Sequence, residues 1–173
     1  MMRLSGSTSI ARFGMLLAAA VLVSYVESLI PMPRFFYGFK LGLVNAILLS
    51  VLYLVNARTA FLISVLRIIL IGLLFGNLLS MLYSLAGGIL SLLLMWAAKK
   101  SARFSVVGVS VLGGVSHNLG QLLIAAFILQ MNRSSLLFYL SVLILLGLLT
   151  GTLIGLLTAK LLPYLKPLFQ MKA

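Results

Sequence analysis

Acidic residues are almost missing from this chain: aspartate is absent, Glu27 is the only glutamate, and there is no cysteine and only one histidine. Without cysteine there are no disulfides, thiolate metal sites or cysteine nucleophile. With one carboxylate and one imidazole, a metal site built from protein ligands alone is not expected. Charge of either sign is scarce, at 8% of residues, whereas 63% are hydrophobic. Soluble domains carry roughly 45–50% apolar and 25% charged residues, and no soluble fold hides so much apolar surface.

What is present is a series of long apolar runs, at 13–30, 41–55, 59–75, 78–98, 104–131 and 136–162. A membrane helix needs about 20 apolar residues to cross a hydrocarbon core roughly 30 Å thick. The pattern predicts an all-α integral membrane protein, a single domain over 1–173 made of about six transmembrane helices. Pro31 and Pro33 end the first run, Asn56 and Arg58 part the second from the third, and Gly76-Asn77 marks a tight turn. Lys99, Lys100 and Arg103 form a basic loop, and residues 132–135 the last one. The second run is short and the fifth, with Gly113-Gly114 inside it, is long; either can tilt, kink or be partly re-entrant. The first run follows a basic N-terminus and is read as a retained span, because further membrane helices follow it. No internal repeat is evident.

Thirteen lysines and arginines face that single acid. In a soluble protein this balance suggests nucleic acid, but here the basic residues sit in short clusters between apolar runs, and no aromatic and basic residues interleave. The lipid bilayer is the expected partner and nucleic acid is not. With both termini in the cytoplasm, Arg3, Arg12, Arg58, Lys99, Lys100, Arg103, Lys160, Lys166 and Lys172 lie inside, and Arg34, Lys40 and Arg133 outside. Nine against three follows the positive-inside rule, and the inverted topology reverses it.

Helices in lipid associate through close packing of small residues. The last run shows them four apart at Gly147, Gly151, Gly155 and Ala159. The fourth carries a similar face at Ser80, Ser84, Gly87, Gly88 and Ser91. On the first, Gly14 with Ala18 and Ala20 with Ser24 read either as packing or as a face for a partner subunit.

Ionisable and large polar side chains inside the spans need another reason, because a charge near the bilayer centre costs a few kcal/mol or more unless paired or facing a cavity. Arg67 is at mid-span, and Glu27 is the one acid available to it. Their vertical offset of roughly 8 Å is within reach of the two extended side chains. The pair is either structural or also contacts an anionic or polar ligand. On the fifth run Ser110, Gly114, His117, Asn118, Gln121 and Ala125 fall on one helical face. Three large polar side chains within five residues favour ligand binding over packing, and Asn45 is a further candidate for the same interior. Between the first two runs, Phe35, Phe36 and Tyr37 belong either to the interfacial aromatic belt or to a cap over an outward-opening cavity, with Arg34 and Lys40 attracting an anion.

Four stretches, SYVESLIP (24–31), KLGLVN (40–45), LRIILIGLLFGNLLSMLYSLAGGILSLLLM (66–95) and VGVSVLGGVSHNLGQLLIAA (107–126), resemble the bacterial Gx transporter family, historically labelled heptaprenyl diphosphate synthase component I. That family resembles the substrate-binding S components of energy-coupling factor transporters, which hold a vitamin-like molecule near the outer face of a six-helix bundle. The resemblance implies capture of a small vitamin-like, flavin-like or isoprenoid and quinone-like molecule, and a location in the bacterial cytoplasmic membrane. It implies docking on a transmembrane coupling subunit with ATPases, and it puts Glu27, Lys40, Asn45, Arg67, His117, Asn118 and Gln121 in matching motifs. S components commonly dock through an Ala-x-x-x-Ala pair on the first helix. Here Gly14 to Ala18 and Ala20 to Ser24 keep small residues without the alanine pair.

The enzyme label conflicts with the composition. Prenyl-chain elongation ionises an allylic diphosphate, usually with magnesium held by clustered aspartates, and this chain has none. No enzymatic activity and no resident cofactor are expected. An accessory membrane subunit of a polyprenyl diphosphate synthase and a scaffold of a membrane redox complex are the alternatives to transport. For the topology, a reporter fused after Lys172 is expected in the cytoplasm, and a cysteine placed at Asn132 is expected to react with a membrane-impermeant reagent added outside. Labelling of position 132 only from the cytoplasmic side would reverse the orientation.

Overall fold

A computed structural model of the chain describes residues 7–30 and 42–170. Among them are six helices and no strands: α1 (Ser7–Leu29), α2 (Leu43–Leu54), α3 (Ala57–Phe75), α4 (Leu78–Lys100), α5 (Val106–Ile128) and α6 (Arg133–Gln170). Five of them are long and apolar enough to cross a membrane, so the protein is a multi-pass helical membrane protein. The twelve residues of α2 extend only about 18 Å, well short of a bilayer core.

Polar residues set the helix starts. Asn56 Oδ1 accepts from the Thr59 amide at 2.7 Å, and Ser105 Oγ accepts from Gly108 at 3.2 Å. Asn77 and Ser80 cap α4 reciprocally, with Asn77 Oδ1 accepting from the Ser80 amide at 2.8 Å and Ser80 Oγ accepting from the Asn77 amide at 3.1 Å. The Gly76-Asn77 turn expected from the sequence is therefore present. It is tight enough that a Cβ on Gly76 would stand 2.8 Å from Ser80 Oγ.

Two helices depart from the expected runs. The fifth is one continuous helix through Gly113-Gly114. The sixth does not stop at 162 but includes Pro163 and Pro167. Each proline removes an amide donor. The residues around them are largely exposed, Tyr164 at 73% and Leu168 at 60%, so this end leaves the packed bundle rather than breaking inside it.

Successive helices run antiparallel. One end of the bundle gathers the end of α1 with Glu27, the start of α2 and the Gly76 turn. The other gathers the α2–α3 corner and the basic residues that close α4. Helix α5 packs extensively against α4 and α6, while α2 touches α1, α3 and α6. Leu48, Leu49 and Leu52 of α2 are at most 1% exposed and join Ile63, Met95 and Val109 in the core.

The small-residue stripe on α6 is the seam with α5. A Cβ added at Gly147, Gly151 or Gly155 would lie 2.8, 2.7 and 2.8 Å from Cα of Val115, Val111 and Val107 respectively. Two four-residue repeats thus interlock in opposite directions. On the other flank of α5, a Cβ on Gly120 would meet the Ala86 carbonyl at 2.7 Å, and one on Gly87 the His117 carbonyl at 2.8 Å. Large apolar side chains face outward instead, Phe127 at 85% and Leu73 at 75% exposed.

Replacing Gly151 by Val should push α5 and α6 apart and cost about 1–3 kcal/mol, lowering the thermal midpoint in detergent. Leu153→Val, on the exposed face of the same helix, should change it little. Equal tolerance of both changes would mean that α5 and α6 do not meet at this seam.

Candidate functional site

The site begins where α1 ends. Ser24 and Glu27 are three residues apart and so share one face, turned inward at 6% and 5% exposure. Helix α2 starts beside them at Gly42, whose left-handed backbone (φ 77°) suits glycine and whose lack of a side chain leaves the helix start without a cap of its own. Glu27 supplies one. Its Oε1 accepts from the Gly42 amide in a short hydrogen bond and from the Leu43 amide at 3.3 Å. A carboxylate at a helix N-terminus satisfies orphan amides and meets the positive end of the dipole.

Arg67 of α3, 5% exposed, reaches the same place from below. Its Nη1 donates to Ser24 Oγ at 3.1 Å, and Ser24 in turn donates to the Ala20 carbonyl at 2.7 Å. Arg67 Nε has no hydrogen-bond partner among the described residues. Glu27 and Arg67 therefore share one polar region, as expected, but they do not form the direct ion pair that their opposite charges suggest. Backbone amides are nearer to the carboxylate than the guanidinium is, and a hydroxyl receives the guanidinium. The two charges act on each other through space.

A small cavity of about 30 Å³ lies between these groups and α5 and α6, lined among others by Glu27, Asn45, Arg67, His117, Asn118 and Thr150. That volume admits about two water molecules. Polar side chains from several helices line it, and Gly113 and Gly114 of α5 and Gly151 of α6 contribute backbone to its wall.

The polar face of α5 is divided. Asn118, 6% exposed, donates from Nδ2 to the Leu143 carbonyl of α6 at 2.8 Å, which ties the two helices together. His117 lines the cavity and also lies against α4, where its Cε1 would be 3.0 Å from a Cβ on Gly87. Gln121 lies against the same glycine, its Cγ also 3.0 Å from such a Cβ, and does not border the cavity. Asn45 folds over the start of α2, its Nδ2 3.1 Å from a Cβ built on Gly42.

Lys40 and the expected cap residues Phe35, Phe36 and Tyr37 lie outside the described residues. Of the small pairs on α1, Gly14 and Ala18 are exposed, whereas Ala20 and Ser24 are buried at 0% and 6%. Only the first pair lies on the outer surface, because the second is occupied by core contacts and by Arg67. Two polar cavity residues were not read as site residues: Thr150, which the sequence analysis did not single out, and Ser84, which it placed on the small packing face of the fourth run. Thr150 donates to the Leu146 carbonyl one turn back at 2.8 Å, the usual way for a hydroxyl in an apolar helix to be satisfied, so its type and position carry no signal of a cavity.

Fold and site together define a multi-pass helical membrane protein with a buried, partly charged polar centre. Its sequence belongs to the family described as heptaprenyl diphosphate synthase component I, which matches residues 16–161. No curated protein and no solved structure matches the chain.

If Glu27 caps α2 as an acceptor as well as a charge, Glu27→Ala should destabilise the protein more than Glu27→Gln, because glutamine keeps an oxygen for the Gly42 and Leu43 amides. Losses of about 1–3 kcal/mol are expected for the alanine variant, read as a lower thermal midpoint. Equal effects of the two variants would remove the capping role.

Proposed function

We propose that this protein is a membrane-embedded solute-binding subunit of a transport system, resembling an energy-coupling factor S component, that takes a small molecule from the side on which α1 ends. One observation carries this reading: the chain's only acid and its mid-span arginine converge on a polar cavity beside the start of a helix too short to span the bilayer. Short or interrupted helices whose N-termini point into a membrane protein's interior are a recurrent way of binding anionic groups. Here the Glu27 carboxylate occupies that position.

A cavity of about 30 Å³ holds a ligand's polar end and not a whole vitamin-like molecule, so uptake on this reading involves movement of α2. Arg67, whose Nε has no hydrogen-bond partner among the described residues, would receive an anionic or polar group, with His117 and Asn45 beside it. The nine-against-three distribution of basic residues supports an outward-facing Glu27 end. Gly14 and Ala18, exposed on α1, would meet a transmembrane coupling subunit that works with ATPases.

The family description favours a second reading, a non-catalytic accessory subunit of a polyprenyl diphosphate synthase. Catalysis by this chain is not part of either reading, since a chain without aspartate lacks the clustered carboxylates that hold magnesium on a diphosphate.

Native mass spectrometry of the purified protein separates the two. The transport reading expects a bound small molecule with an anionic or polar group, retained by the wild type and lost from Arg67→Leu while the folded yield of that variant is kept. Retention of a prenyl diphosphate together with a synthase subunit would support the second reading. A wild type that carries nothing beyond bulk lipid, in cells whose solute uptake is unchanged by deletion of the protein, would contradict the first.

A further inference from the structure

At the opposite end of the bundle from Glu27, an open groove of about 220 Å³ runs between the end of α2, the start of α3 and the last turns of α4. Leu52, Phe61, Leu93 and Trp96 form its walls, and Arg58 is the one charged residue lining it among the described residues. Phe61, Leu93 and Trp96 are 38%, 51% and 45% exposed, so the groove lies on the outer wall of the bundle rather than in its core.

The charge around its mouth has no acidic counterpart among the described residues near it. Lys99 is committed, donating from Nζ to the Leu52 carbonyl at 2.5 Å with Nζ 4.9 Å from the centre of the Tyr53 ring. Lys100 Nζ sits 5.4 Å from the centre of the Trp96 ring, which fixes it beside the groove. Arg58 is exposed. Glu27, the only acid in the chain, caps the far end of α2, about 18 Å away along that helix. Two cations flanking an apolar channel on a membrane-facing wall are therefore available to an anion from outside the chain.

We propose that the groove binds an anionic phospholipid of the bilayer, with one acyl chain against Phe61, Leu93 and Trp96 and its phosphate between Arg58 and Lys100. An acyl chain matches the apolar walls, and a phosphate matches a guanidinium and an ammonium at the level where tryptophan and basic side chains mark the membrane interface. A neutral phospholipid fills the channel equally well but leaves both cations without net compensation. The site is independent of the polar cavity and of the transport reading.

Trp96 is the chain's only tryptophan, so its fluorescence reports on this groove alone. The full chain is reconstituted in phosphatidylcholine vesicles containing increasing amounts of either dibrominated phosphatidylglycerol or dibrominated phosphatidylcholine. Half-maximal quenching is expected at about five-fold lower mole fraction or less for the anionic lipid. Arg58→Gln and Lys100→Gln should each shrink that preference, and both together should abolish it. Arg103→Gln, outside the groove, should leave it intact. Equal quenching by the two lipids, a preference that survives the double change, or no quenching by either because a protein surface covers Trp96 would each overturn the proposal.

Discussion

A guanidinium in the middle of an apolar bundle is the constraint around which the rest of this structure is arranged. Arg67 is only 5% exposed in the centre of the bundle, and a charge there costs several kcal/mol unless other groups receive it. The protein meets that cost with a hydroxyl from Ser24 in direct contact and a carboxylate from Glu27 in the same polar region. Because Glu27 also holds the first amides of α2, the compensation of the arginine and the start of the short helix depend on one side chain. Loss of the carboxylate therefore affects a charge and a helix end together.

Around this centre the packing is uneven. Helices α4, α5 and α6 meet backbone to backbone at glycines, leaving no room for side chains to adjust. The side formed by α1, α2 and α3 is held instead by larger side chains and by the polar contacts just described. Two differently packed halves thus face each other across the cavity, with Asn118 securing α5 to α6 and Glu27 securing α2 to α1.

The helical membrane fold was legible because it rests on length and apolarity, which are properties of the sequence alone. The Gly147, Gly151 and Gly155 seam was legible for the same reason, since residues four apart share a helix face. The partners of the polar groups were not. Opposite charge made Arg67 the evident partner for Glu27, but the nearest donors are backbone amides of Gly42 and Leu43, and amides leave no trace in composition. Ser24, grouped with Ala20 as a small pair, proved to be the acceptor for Arg67. Asn118 is satisfied by the Leu143 carbonyl, a contact set by the approach of two helices and not by any residue type. The end of α6 was misplaced because Pro163 terminates a helix far more reliably inside a packed bundle than where the helix has already left it.

The account's central claim is that Glu27 and Arg67 act as one coupled unit although no hydrogen bond joins them. A double-mutant cycle with Glu27→Gln and Arg67→Leu, read from denaturant or thermal unfolding in a fixed detergent, measures that coupling directly. Removing the carboxylate alone strands a buried cation, and removing the cation as well relieves it. The combined change should therefore cost less than the sum of the two single changes, by about 0.5–3 kcal/mol. Strict additivity of the two effects would contradict the claim.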